Sequence, residues 1–162
     1  SQAVLVATSE EIVAAVNKAL DEQLGALPRA AIAAQAMANS YAVIVDDLQA
    51  AMAFSNQYAP EHLILETDQW KPLIRYVSNA GSVFLGHLTP ESAGDYASGT
   101  NHTLPTSGYA RSYSGVSVDS FIKKITFQHI SEEGLAQIGG TVETLAELEG
   151  LQAHKNAVSI RK

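Results

Sequence analysis

An acid and an imidazole stand side by side at Glu61-His62, directly after Pro60. Histidine is the side chain best suited to move protons near neutral pH, and a neighbouring carboxylate favours its protonated form. The pair is therefore a candidate for taking a proton from an alcohol or from a water molecule. The alternative is a surface pair that only holds a turn, and the dipeptide alone leaves both interpretations open.

A second set of chemically capable side chains lies in residues 86–109, a stretch crowded with glycine, proline and small hydroxyl residues. It contains Asp95 and His102, and carboxylate and imidazole are ligands that zinc or manganese accepts when thiols are absent. Two ligands do not make a metal site, which needs at least three or four. The alternative is a hydrogen-bonded loop in which Asp95 forms a turn.

A third polar set, near the end of the chain, contains Glu149 and His154. On a continuous helix the two side chains would point about 140° apart. They can face one ligand only if the chain turns between them, and Gly150 permits such a turn. Taken alone, this segment is better interpreted as an exposed polar tail.

The composition narrows the chemistry that these residues can serve. The 162 residues include no cysteine, which excludes disulfides, thiolate metal sites and cysteine nucleophiles. Ten Lys and Arg against 17 Asp and Glu give a net charge of -7, which argues against a nucleic-acid surface. The chain has no apolar run of about 18 residues and no signal-peptide pattern. We therefore expect no membrane contact and a cytoplasmic location.

The pattern of apolar segments predicts how these residues are positioned. Strand-like apolar runs alternate with amphipathic helices, and continuous apolar strands of this kind favour a parallel sheet covered on both faces. We predict an α/β fold, with a Rossmann-like half-domain over residues 1–115 in which helices flank a parallel sheet. A small, mostly helical C-terminal tail follows over residues 116–162. The predicted strands are residues 3–7, 41–45, 63–65 and 82–85.

Capping signals predict where the helices begin. Thr8 followed by Glu11 forms a capping box, Asp46 is the expected cap of the helix before the acid–imidazole pair, and Asp68 that of the next helix. Residues 86–109 are predicted to be a long irregular loop after a buried strand, where α/β proteins usually carry their functional groups.

The tail is predicted from the same kinds of signal. Residues 121–130 are ambiguous between helix and strand. Residues 131–148 are helical with a weak point at Gly139-Gly140, and residues 151–160 form a last short helix.

In combination, order and spacing, these motifs resemble histidinol dehydrogenase over nearly the whole chain. The match is to the C-terminal half of that family, and its longest motif is highly specific. The matching segments are NQYAPEHL (56–63), AGSVFLG (80–86), PESAGDYASGTNH (90–102), LPT (104–106) and AHKNAV (153–158).

The resemblance implies two successive NAD-dependent oxidations, from L-histidinol through L-histidinaldehyde to L-histidine, which end histidine biosynthesis, with zinc and NAD as cofactors. By this resemblance His62 is the general base and Glu61 activates the water that attacks the aldehyde. The implied zinc ligands are Asp95 and His154. The implied substrate contacts are His62, Asp95, His102, Glu149 and His154. The residues that contact NAD are unknown.

The resemblance also implies a homodimer in which the C-terminal tail, with Glu149 and His154, completes the site of the other subunit. The family's chains are longer, and a glutamine and a histidine of the zinc site, with most of the NAD-binding region, precede the matching stretch. Because this chain begins at Ser1 rather than at methionine, we expect it to be part of a longer protein. Its first partner is then the missing N-terminal part, and the chain alone is expected to be inactive.

Two other classes of function remain open. One is a non-catalytic α/β module, derived from the same family, that binds a ligand or mediates dimerisation. The other is a different metal-dependent enzyme, such as a lyase or a hydrolase. Binding of L-histidinol rather than of simple esters separates the dehydrogenase from the last of these.

Overall fold

A computed structural model describes residues 1–162. Short strands alternate with helices in the first part of the chain. The α/β class predicted from the apolar pattern is confirmed, and so is the helical C-terminal end. The elements are β1 (Val4–Ala7), α1 (Glu10–Leu24), α2 (Ala30–Met37), β2 (Tyr41–Ile44), α3 (Leu48–Tyr58), β3 (His62–Leu65), α4 (Trp70–Leu73), β4 (Ser82–Leu85), α5 (Glu91–Tyr96), α6 (Glu132–Leu148) and α7 (Gln152–Ser159). Short 3-10 turns occupy Ile74–Tyr76, Tyr109–Arg111 and Val118–Phe121. The chain divides into two compact units, Ser1–Phe121 and Ile122–Lys162.

The four strands pair in parallel, as their separation by helices predicts. β1 pairs with β2 from Val4 opposite Tyr41, and β3 pairs with β4 from His62 opposite Ser82. They form two sheets of two strands each. All four predicted strands are present, with ends that differ from the predicted ones by at most one residue.

The best-packed part of the first unit lies around β3 and β4. Met52 on α3, Leu65 on β3 and Leu73 on α4 are buried against one another, and Trp70 and Val83 pack on them. Burying a side chain of this size contributes about 1.5–3 kcal/mol. The hydrophobic core of this unit therefore holds β3, the strand that begins at His62 of the acid–imidazole pair.

Two predicted helix caps are wrong by one residue. Ser9, not Thr8, caps α1, and its Oγ accepts a hydrogen bond from the Ile12 amide at 3.4 Å. Asp47, not Asp46, caps α3, and its Oδ1 accepts from the Ala50 amide at 2.7 Å. In each case two capping residues are adjacent, and the one directly before the helix has the extended backbone that turns its side chain onto the first amides.

The helix predicted after Asp68 is shorter than expected and is not capped by that residue. It is limited to α4 and the 3-10 turn Ile74–Tyr76, and Gln69 precedes it without a side-chain cap. The physical reason lies at Asn56, whose Oδ1 accepts hydrogen bonds from the amides of Ser78 and Asn79 at 2.9 and 3.2 Å. These bonds draw the chain out of the helix and into β4.

The second unit is a hairpin of α6 and α7. The predicted weak point at Gly139-Gly140 does not interrupt α6. Gly139 is buried because α7 crosses it, and a Cβ there would lie 3.2 Å from Val158 Cγ1. Residues 122–130 form neither helix nor strand. No helix of the chain has the length and apolar character that a membrane span requires.

Candidate active site

A tight turn presents Glu61 and His62 at the start of β3. Ala59 ends α3 in the left-handed conformation, with φ 56°, and its amide donates to the Ser55 carbonyl at 2.8 Å. The Pro60 and Glu61 carbonyls then accept hydrogen bonds from the Gly81 and Ser82 amides, both at 2.9 Å. The pair is thus fixed to the entrance of β4 before the strand itself begins.

The two carboxylates that face His62 come from a helix that the sequence analysis did not predict. Residues 86–109 are not irregular throughout, since they contain α5. Glu91 and Asp95 are four residues apart on α5 and therefore lie on one of its faces. After the helix, Thr100 Oγ1 donates to the Gly94 carbonyl at 3.3 Å and closes the loop back onto α5.

His62, Glu91 and Asp95 form one cluster. His62 Nε2 lies 3.4 Å from Glu91 Oε1, and one ligand atom from each of the three residues lies within 4.8 Å of the others. All three side chains are half-buried. The structure therefore brings together two of the residues singled out in the sequence, His62 and Asp95, and adds Glu91, to which the sequence analysis gave no role.

The ring of Phe84 lies beneath this cluster. Phe84 on β4 is buried, and its ring centroid is 5.9 Å from that of His62, with the planes tilted by 37°. On its other side it meets Gly94 of α5, where a Cβ would lie 2.8 Å from Phe84 Cε1. One aromatic ring thus contacts both the strand that carries the imidazole and the helix that carries the carboxylates.

The other predicted site residues lie outside this cluster. Glu61 is half-buried one residue before β3, and His102 is exposed in the segment that follows α5. In the second unit, Glu149 caps the end of α6 and His154 lies in the first turn of α7, both exposed. The chain turns between these two at Gly150, where φ is 73°. The roles of these residues stay predictions.

The signal that could have found Glu91 is its spacing from Asp95. Two carboxylates at i and i+4 share a face on any helix. That signal was hidden because Pro90, Gly94 and Gly99 are typical of a loop. The absence of a side chain at Gly94 reflects the contact with Phe84, which only the folded chain reveals.

The cluster has the donor set of a divalent cation site. An imidazole nitrogen and carboxylate oxygens are ligands that zinc accepts. Three such groups leave coordination positions for further ligands from the protein or from a substrate. The carboxylates therefore fit zinc as contributors to a shared site, and the imidazole nitrogen then stays free to take protons.

Two β–α turns of this chain, those before α1 and α3, do not fit a dinucleotide. A pyrophosphate is bound at a helix N-terminus by backbone amides and a favourable dipole. Here Glu10 and Glu11 occupy the first turn of α1, and Asp46 and Asp47 precede α3. These carboxylates repel a phosphate, so neither turn offers a favourable site for a pyrophosphate.

Comparison with known proteins gives one consistent result. The family model described as histidinol dehydrogenase matches residues 1–162. A relative named histidinol dehydrogenase, from Bacteroides thetaiotaomicron, is 57% identical over 161 residues, which cover 99% of this chain and 38% of the relative. One from Oryza sativa subsp. japonica, named histidinol dehydrogenase, chloroplastic, is 53% identical, with 99% of this chain and 34% of the relative covered.

A solved structure agrees with these relatives. The crystal structure of histidinol dehydrogenase from Elizabethkingia anophelis is similar with a TM-score of 0.89 and 53% identity, over 99% of this chain and 37% of that one. The chain therefore spans little more than a third of the length of the proteins that it matches.

Proposed function

The chain belongs to the histidinol dehydrogenase family, and from this premise we propose that it supplies the acid–base groups and part of the zinc site of an enzyme that oxidises L-histidinol to L-histidine. The observation that carries the proposal is the convergence of His62 with Asp95 and Glu91, which approach one another from β3 and α5. A proton acceptor beside carboxylates that could bind a cation supports this proposal, because it suits the oxidation of a metal-held amino alcohol.

In this proposal His62 takes the proton from the substrate's hydroxyl group and later from the aldehyde hydrate. Its ring rests on Phe84 and its Nε2 lies beside Glu91, so the carboxylate is placed to hold the ring in one orientation. Glu61, adjacent in the chain, deprotonates the water that attacks the aldehyde. His102 and Glu149 contact the substrate.

The proposed cofactors are zinc and NAD. Asp95 of one subunit and His154 of the other would hold the zinc, whose contribution is to position the substrate's imidazole and amine. NAD would accept the hydride at each oxidation, and it would be bound by the part of the protein that this chain does not include. The acidic turns before α1 and α3 support this placement of NAD, because their carboxylates repel a pyrophosphate.

The activity belongs to the longer protein. Because the chain spans 38% of the Bacteroides relative, we propose that it is inactive alone and acts together with the remaining part of the same protein. We also propose a homodimer in which Glu149 and His154 reach the other subunit's site. Both residues are exposed and so free to contact another chain. The proposed location is cytoplasmic, although the rice relative is named chloroplastic.

A hybrid enzyme tests this proposal. Residues 1–162 replace the matching stretch of the Bacteroides thetaiotaomicron relative, to which they are 57% identical. L-Histidinol-dependent formation of NADH is then measured in the presence of zinc, for the hybrid enzyme and for the chain alone. Turnover by the hybrid and none by the chain alone are expected.

Two outcomes would oppose the proposal. A folded, zinc-loaded hybrid enzyme that forms no NADH would favour the non-catalytic module. Hydrolysis of simple esters without oxidation of L-histidinol would favour a different metal-dependent enzyme.

A further inference from the structure

One aromatic ring lies close both to the imidazole of the cluster and to the helix that carries its carboxylates. We infer that Phe84 and Gly94 are positioning residues, with the Phe84 ring as the spacer between β3 and α5 and Gly94 as the opening that lets the ring fit. The inference rests on the proposed function, because it names what aligns His62 with Glu91 and Asp95. Neither residue contributes a polar group to the cluster.

The first step is the contact between Phe84 and His62. The parallel register places Ser82 opposite His62 and Phe84 opposite Ile64, so the Phe84 side chain lies on the same face of the sheet as the His62 side chain. The ring centroids are 5.9 Å apart, within the range of favourable aromatic contacts. Phe84 is only 5% exposed, which leaves its ring little freedom to move.

The second step is the contact between Phe84 and α5. Gly94 lies between Glu91 and Asp95 along the helix and is buried. A Cβ at Gly94 would lie 2.8 Å from Phe84 Cε1 and 3.0 Å from Cζ. At such distances either the ring or the helix must shift. A side chain at Gly94 would therefore displace the ring beneath His62 or the helix that carries the carboxylates.

The chain of 162 residues allows a direct test by NMR of its histidine rings. Imidazole signals are recorded with labelled histidine, and the His62 signals are identified by their loss in His62→Gln. Gly94→Ala is expected to shift the His62 signals. The matched control is Gly140→Ala, also a helical glycine, around which no atom lies within 4 Å of an added Cβ. A folded Gly94→Ala chain whose His62 signals move no more than in Gly140→Ala would overturn the inference.

Phe84→Leu keeps the test decisive if Gly94→Ala does not fold. Removing the ring removes its magnetic effect on the imidazole, so the His62 signals are expected to move downfield or upfield by more than in the Gly140→Ala control. His62 signals that stay in place would show that the ring does not contact the imidazole, and the inference would fail. This measurement needs neither zinc, NAD nor turnover.

The hybrid enzyme adds a readout of function. Gly94→Ala is expected to lower kcat by about ten- to a hundred-fold, as small misplacements of reacting groups do, with a smaller change in KM. In Phe84→Leu/Gly94→Ala the smaller side chain makes room for the added methyl, and part of the lost kcat is expected to return. Lack of NADH formation by the unsubstituted hybrid would refute the proposed function, while the NMR result would still decide the positioning role.

Discussion

His62 Nε2 and Glu91 Oε1 lie 3.4 Å apart, and each residue is the first of its element, one of β3 and the other of α5. Neither position is mobile in the way that a loop residue is, because the start of β3 is hydrogen-bonded to β4 and α5 rests on Phe84. The backbone at both residues is therefore held in place, and their side chains meet between β3 and α5. A carboxylate placed in this way can fix the orientation of an imidazole.

Glu91→Gln is expected to lower kcat of the hybrid enzyme about ten-fold, in the range found when the carboxylate partner of a functional histidine is removed. The amide is of similar size but carries no charge, so KM for L-histidinol should change less than kcat. Glu66→Gln, an exposed carboxylate after β3, is the matched control. Equal kinetics for the two variants would exclude a role for Glu91 in orienting His62.

His62→Asn and His154→Asn are expected to affect different properties of the hybrid enzyme. Loss of the general base should lower kcat by about 10²–10⁴-fold while substrate binding changes little. Loss of a zinc ligand should weaken zinc and substrate binding, which metal titration and KM would report. Small and equal effects of both substitutions would count against the roles proposed for them.

Asp47→Ala is expected to destabilise the chain by about 1 kcal/mol, because the Ala50 amide loses its capping partner. Asp46→Ala is the control, since the same charge is removed one residue earlier without loss of the cap. Urea denaturation compares the two variants with the unsubstituted chain. A larger loss for Asp46→Ala would place the start of α3 one residue earlier than the structure does.

The second unit is expected to lose stability in acid partly through Glu143. A hydrogen bond from Lys162, with Nζ 2.7 Å from Oε2, and a second from the Ser159 hydroxyl hold the pKa of Glu143 below its ordinary value. A carboxyl group with a lowered folded-state pKa stabilises above its unfolded pKa, and this stability is lost as the pH falls through the folded value.

Glu143→Gln should therefore be less stable than the unsubstituted chain at neutral pH, and the difference should shrink as the pH is lowered through the acid range. Thermal unfolding at a series of pH values measures this, with the exposed Glu66→Gln as control. A difference that is the same at every pH would mean that the contacts of Glu143 do not depend on its charge.

The strands were predictable because each is a short, mostly apolar run that contains at least one β-branched residue. The caps of α1 and α3 were missed by one residue because two capping residues are adjacent in each case, and local sequence does not rank them. The end of the helix after Asp68 depends on the side chain of Asn56, which is distant in sequence. Local sequence patterns carry no information about hydrogen bonds between residues so far apart in the chain.

The same limit applies to the site. Asp95 and His62 could be named from the motifs that contain them, but their approach is a property of the folded unit. Gly94 looked like a loop residue, and only the Phe84 ring packed against it explains why a helix has glycine there. Glu91 was missed for this reason, since without the helix its spacing from Asp95 has no meaning.

Ala59 restricts which sequences can build the turn into the acid–imidazole pair. Its φ of 56° disfavours any residue branched at Cβ, and with 1% exposure any larger side chain would be enclosed by protein. Alanine and glycine are therefore the residues that this position admits. A distant protein with a bulky residue immediately before Pro-Glu-His must therefore have a different backbone conformation at this turn. The residue at this one position thus distinguishes proteins that share the turn from proteins that contain Pro-Glu-His by chance.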